Sequence, residues 1–174
     1  MSGASVTIDA TFQDAAVQDM LGQLAAAADD LTYVMDLIGA HLQQTVAERF
    51  DEGHGPAGVP WKPSGRAKFA GGKTMVDSGR LMGSITRQAD ANSVTVGTNV
   101  IYGRIHQFGG VISAKTAKGL SFNGWSANGT PGHFLRKSVT IPARPFLGVD
   151  AEDETEILAI VTGKLAEITG GAPA

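Results

Sequence analysis

The residues able to do acid–base or nucleophilic chemistry are few, and they are scattered. Four histidines occur, His41, His54, His106 and His133, and no two stand four residues apart. None has the adjacent glutamate of a zinc-hydrolase helix, so the spacing of a metal centre is missing. Ser78 sits between Asp77 and Gly79. Paired with His106 it would be the nucleophile of a small hydrolase, but a triad is defined by geometry, and Asp-Ser-Gly is first of all a good turn. His106 lies in the run Ile105-His106-Gln107-Phe108, where a histidine more often packs and hydrogen-bonds than catalyses. Residues 53–58, GHGPAG, match G-x-G-x-x-G literally. A dinucleotide loop follows a strand and opens a helix, whereas this one follows a helical pattern and runs into Val59-Pro60, so a Gly-rich loop is the better reading. The chain has no cysteine, which excludes thiolate chemistry and cysteine-ligated zinc. Neither a catalytic site nor a cofactor or metal is expected.

A basic group is the other candidate. Lys62, Arg66, Lys68, Lys73 and Arg80 interleave with Trp61 and Phe69, as phosphate-contacting and stacking residues would in a nucleic-acid binder. The pattern matches no nucleic-acid module, so these bases are expected to meet another subunit or the DNA backbone rather than base edges.

The charges are sorted along the chain. Residues 1–59 hold nine acids and one base, Arg49. Residues 60–149 hold twelve bases and two acids, Asp77 and Asp90, a net +10. Residues 150–174 hold six acids and one base, Lys164. Such sorting speaks to partners: the middle meets something anionic, or the acidic flanks of a neighbouring copy.

These residues must be positioned by a modest set of elements. At 174 residues the chain suits one domain, able to bury about 70% of its unfolded surface. Residues 1–12 show no positive leader and apolar run, and no stretch approaches the ~20 apolar residues of a membrane span. Val6, Ile8, Ala10 and Phe12 alternate as an edge strand. Val17, Leu21 and Leu24 predict a helix over 14–27. Asp30 caps a longer helix whose apolar stripe is Leu31, Val34, Met35, Ile38, Leu42, Val46 and Phe50. Residues 53–76 read as a long exposed loop, 93–98 as a strand, 100–108 as one or two helical turns, and 109–133 as a second loop or β-hairpin arm. Residues 134–141 read as one strand, and Pro142 and Pro145 then hold the chain extended. A last helix starts at Asp150, with Asp153 in the place of a capping-box acid, and buries Ile157, Ile160, Val161, Leu165 and Ile168. The expected class is α+β: a small antiparallel sheet packed by N- and C-terminal helices, in a single domain over 1–170 with 171–174 as a tail.

Several of these segments carry a family resemblance. Trp61-Lys62-Pro63 after the Gly/Pro loop, residues 76–85 (VDSGRLMGSI), Val94–Thr98 with Tyr102 and 105–110 (IHQFGG), and 141–148 (IPARPFLG) resemble, in order, the motifs of the phage virion-morphogenesis family. The likeness spans about residues 50–165. It departs at Gly103, where the family often has Ala, and at Ser78, where it often has Thr; residues 6–27 match less well. It implies a non-catalytic, Mu-like tail-completion or neck protein that forms a ring where the tail joins the head. A hexamer is the favoured stoichiometry and a dodecamer the other. Connector and tail-tube proteins would be its neighbours, and packaged DNA a non-specific contact. It implies assembly in the host cytoplasm. Rival readings are another virion part, such as a head-completion, connector or tail-tube protein, and a free nucleic-acid-binding module. Within this resemblance, Tyr102, His106, Gln107, Phe108, Arg144 and Phe146 are expected at the packing heart.

Overall fold

The computed structural model describes residues 6–8, 15–27 and 30–169. Its class is the expected α+β. A three-stranded antiparallel sheet has the order β1 (Val6–Ile8), β3 (Val94–Thr98), β2 (Ile85–Ala89). Ile85 and Val6 both stand opposite Thr98, on its two sides. The predicted continuation of β1 through Ala10 and Phe12 lies outside the described residues.

Helix α2 (Thr32–Glu52) crosses this sheet and organises the molecule. Its apolar stripe is long enough to serve two cores. The C-terminal half, with Val46 and Phe50, packs on Trp61, Leu81, Ile85, Val96, Val100, Phe146 and Leu147. The N-terminal half, with Leu31, Val34, Met35 and Ile38, packs on Leu24 of α1 (Ala15–Ala27) and on Ile157 and Val161 of α5 (Ala151–Thr169). The capping position of α2 is Leu31 rather than the expected Asp30; Asp30 stands one residue earlier, where its Oδ1 accepts from Thr32 N–H at 2.8 Å. Gly39 faces the sheet, where any Cβ would lie 2.6 Å from Val94 Cγ2, so its small size sets how closely helix and sheet approach. Gly53, at φ 83°, ends the helix in the left-handed conformation that costs other residues energy.

The segment 53–76 differs from the expected exposed loop. It contains a 3-10 turn, Pro56–Gly58, and a short helix α3 (Gly65–Ala70), capped by Ser64 Oγ accepting from Ala67 N–H at 3.1 Å. Gly and Pro interrupt the periodicity here, but a single large apolar residue suffices to pin the segment: Trp61 is buried and meets Phe50 edge-on at 5.4 Å. Arg66 closes the far end by donating to the carbonyls of Lys73 and Val76.

After the single-turn-and-a-half helix α4 (Gly103–Phe108), the chain forms an arm of two antiparallel ladders. β4 (Gly110–Ser113) pairs with β7 (Ser138–Ile141), and β5 (Leu120–Trp125) with β6 (Pro131–Arg136). The arm form of the 109–133 expectation is therefore the one observed. The single strand expected over 134–141 is instead two, divided at Lys137. The extra residues 114–119 between β4 and β5 leave that position without a ladder partner, although Lys137 O still accepts from Ala114 N–H at 2.8 Å.

Candidate functional site

The extended segment 141–148 is where the functional candidates converge. It has no strand partner over 142–148, so its backbone groups must be satisfied by side chains and loops. Gln107 does most of this. Its Oε1 accepts from Phe146 N–H at 2.9 Å and Leu147 N–H at 3.0 Å, and its Nε2 donates to Leu147 O at 2.8 Å. Trp61 Nε1 donates to Pro145 O at 2.8 Å, and Arg144 N–H donates to His106 O at 2.7 Å. Phe146 is fully buried against Phe50, with ring centroids 5.3 Å apart. Thus α4, the Trp61 loop and the 141–148 segment are stitched into one unit.

Of the residues expected at the packing heart, Gln107, Arg144 and Phe146 are buried and His106 is half-buried. Tyr102 and Phe108 are not core: they are 38% and 59% exposed. The short α4 has only one inward face, taken by Gly103 and Gln107, so its aromatic residues point outward. Tyr102 lies edge-on to His106 at 6.0 Å, and Phe108 lies under Arg104.

The expected contact bases divide into two groups. Arg66 and Lys73 are engaged within the chain, Arg66 as above and 3.4 Å from Asp77, Lys73 2.6 Å from Asp51. Lys62, Lys68 and Arg80 are exposed and have no carboxylate partner among the described residues; Lys68 lies over the ring of Phe69.

A cavity of about 330 Å³ opens between these groups, lined by Arg66, Asp77, Ser78, Arg80, Tyr102, His106 and Arg144 among others. Ser78 and His106 thus share a cavity, but they share no hydrogen bond. Ser78 Oγ accepts from Arg80 N–H at 3.4 Å, and His106 Nδ1 is buried without a partner among the described residues. A base that is not bonded to its nucleophile, and has no carboxylate to orient it, is not the constellation of a serine hydrolase. Burial pushes the His106 imidazole below its ordinary pKa, and the neighbouring Arg144 charge adds to this. Burial likewise lowers Arg144. Among the described residues there is no group of His, Asp and Glu fit to hold a metal ion, and no helix long and apolar enough to cross a membrane.

One cluster escaped the reading of the sequence. Arg49, 1% exposed, projects from α2 to the start of α5. It donates to Asp153 Oδ2 at 2.7 Å, Asp150 Oδ2 at 2.8 Å and Gly148 O at 2.8 Å. Asp153 and Asp150 also cap α5 reciprocally: Asp150 Oδ1 accepts from Asp153 N–H and Asp153 Oδ2 from Asp150 N–H, both at 3.1 Å. His41 Nε2 lies 3.0 Å from Asp153 Oδ1. Burial acts to raise the Asp150 carboxyl, but the Asp153 N–H and the Arg49 guanidinium outweigh it and hold it below the usual range. The signal in the sequence was Arg49 itself, a single base among nine acids, together with an Asp where a capping box has Glu.

The chain matches the model of the phage virion morphogenesis family over residues 12–166. It is 34% identical over 142 residues to the Mu-like prophage FluMu G protein 2 of Haemophilus influenzae, covering 82% of this chain and 83% of that one. It is 25% identical over 171 residues to the Mu-like prophage FluMu G protein 1 of the same organism, covering 93% and 97%. No solved structure matches it. With the motif-bearing segments 61–63, 76–85, 94–110 and 141–148 folded around one another and the match running nearly end to end, the chain belongs to the phage virion morphogenesis family and is a structural component of a phage virion.

Proposed function

We propose that this protein completes the tail of a tailed phage as a closed homo-oligomeric ring at the head–tail junction, with six copies favoured over twelve. The observation that carries this reading is the sorting of unpaired charge onto different parts of the fold. The arm and the α3 region expose Lys62, Lys68, Arg80, Lys115, Lys118, Arg136 and Lys137 with no carboxylate partner among the described residues. The opposite sign sits on α5, where Glu152, Glu154 and Glu156 are exposed and equally unpaired. A head-to-tail contact that places one copy's basic region on the next copy's acidic helix is heterologous, and such contacts make a ring where the rotation between copies closes. Each exposed pair is worth only about 0–1 kcal/mol, so repetition around a ring sets register more than affinity. Connector and tail-tube proteins are the expected neighbours above and below.

Sedimentation of the purified chain across a salt series tests this. The Debye length shrinks from about 8 Å at physiological ionic strength to about 3 Å at 1 M, so the oligomer should weaken as salt rises. Changing Glu152, Glu154 and Glu156 to Gln should weaken it at low salt. An oligomer indifferent to both would remove the flank-to-middle contact and leave the basic surface for packaged DNA lining the channel.

A further inference from the structure

The cavity beside α4 holds a charge that the described residues do not balance. Arg144 is 7% exposed, yet no carboxylate lies within ion-pair reach of it among the described residues. Its Nε donates to Lys62 O at 2.8 Å, while its two terminal nitrogens have no partner among those residues. It lines the cavity, as do Arg80, which is exposed, and His106, whose Nδ1 is buried, neither of them having an ion-pair or ring-nitrogen partner among the described residues. The single acid on the wall, Asp77, is 85% exposed and turned to Arg66. A largely buried guanidinium without a counter-charge is disfavoured even where its terminal nitrogens still reach solvent, and a ring nitrogen buried without a partner is costly outright. Both costs fall together if an anion enters the cavity, because the free edge of a guanidinium matches a planar two-oxygen group.

We infer that this cavity is a receptor for one carboxylate side chain of a second copy, supplied by the exposed acidic turn of α5. The inference rests on the ring reading and gives it a specific anchor. A side-chain carboxylate fits better than a DNA phosphate. Duplex phosphates lie on a convex surface and are met by exposed, extended bases, whereas Arg144 is recessed. The chain's own α5 cannot supply the group: its first turn is held at Arg49 through Asp150 and Asp153, and none of its acids lines the cavity. Glu152 and Glu154 are exposed on that turn and have no partner among the described residues, which leaves them free to enter a neighbour.

The test has two parts, both on the full chain. Glutarate, inorganic phosphate and a short DNA duplex are titrated separately into dilute protein, with the Arg144 guanidinium and His106 ring resonances followed by NMR. Glutarate should shift both, and Arg80→Ala should weaken its binding about tenfold, the worth of one charge-assisted hydrogen bond. Then Arg80→Glu, a substitution at an exposed residue that leaves the fold intact, should reduce assembly measured by sedimentation. Mixing it with Glu152→Arg/Glu154→Arg copies should restore assembly. Glutarate shifts together with that rescue would support the proposal. A salt-sensitive oligomer with no glutarate shift and no effect of Arg80→Glu would overturn the cavity while leaving the ring standing. Shifts with glutarate in a chain that never self-associates would overturn the second copy as donor, and a response to duplex alone would assign the cavity to DNA.

Discussion

Replacing Asp153 by Ala should be among the most damaging single changes in this protein. Asp153 is 1% exposed and accepts from the Arg49 guanidinium at 2.7 Å and the Asp150 N–H at 3.1 Å, with His41 Nε2 3.0 Å away. Its loss leaves Arg49 buried with one carboxylate, Asp150, instead of two. Removing one member of a buried ion pair costs about 3–5 kcal/mol, because the partner's desolvation is no longer repaid. The retained Asp150 bond at 2.8 Å argues for the lower half of that range. Loss of the reciprocal cap adds about 1 kcal/mol at the start of α5. A total near 4 kcal/mol is a large part of the ~5–15 kcal/mol that a domain of this kind has. Urea denaturation followed by circular dichroism, at protein concentrations where the midpoint no longer depends on concentration, measures it. The pair Arg49→Met with Asp153→Leu should cost clearly less than the sum of its singles, because it removes both charges together. A single Asp153→Ala variant within 1 kcal/mol of the parent would refute the clamp.

Gln107→Leu keeps the volume but orphans the N–H groups of Phe146 and Leu147, and should destabilise by about 2–4 kcal/mol in the same denaturation assay. His106 has its pKa depressed in the folded state, so the unfolded chain binds more protons below about 6.5 and stability should fall as pH drops through that value. His106→Gln should flatten this part of the stability-against-pH curve, and an unchanged slope would place the effect elsewhere.

Much of the architecture was legible because it rests on local rules. The stripe from Leu31 to Phe50 could only be an amphipathic helix, and alternation identified β3. The arm was readable as an alternative, since Gly-rich alternating sequence suits both a hairpin and a loop. What could not be read were consequences of distant residues meeting. Trp61 looks like a loop aromatic until Phe50 and Phe146 are placed around it, and residues 53–76 then acquire structure without any periodicity of their own. Tyr102 and Phe108 looked like core by type, yet a helix of six residues has one buried face, which Gly103 and Gln107 occupy. Arg49 was visible only as an odd base in an acidic stretch. Its partners lie a hundred residues away, and an ion cluster of that span has no sequence period.

The arm has a further consequence for the free subunit. Its β5–β6 ladder is two strands wide, so each strand offers an open row of backbone donors and acceptors, and Phe122 and Leu135 are exposed beside them. Such edges are templates for runaway strand pairing between molecules. Lys115, Lys118, Arg136 and Lys137 sit on the same arm, and no acid occurs anywhere in 91–149 to neutralise them. Two arms approaching edge to edge therefore repel, while an arm approaching an acidic helix does not. The same cations act as gatekeepers against fibre formation during the interval between synthesis and incorporation, when many identical arms share one cell.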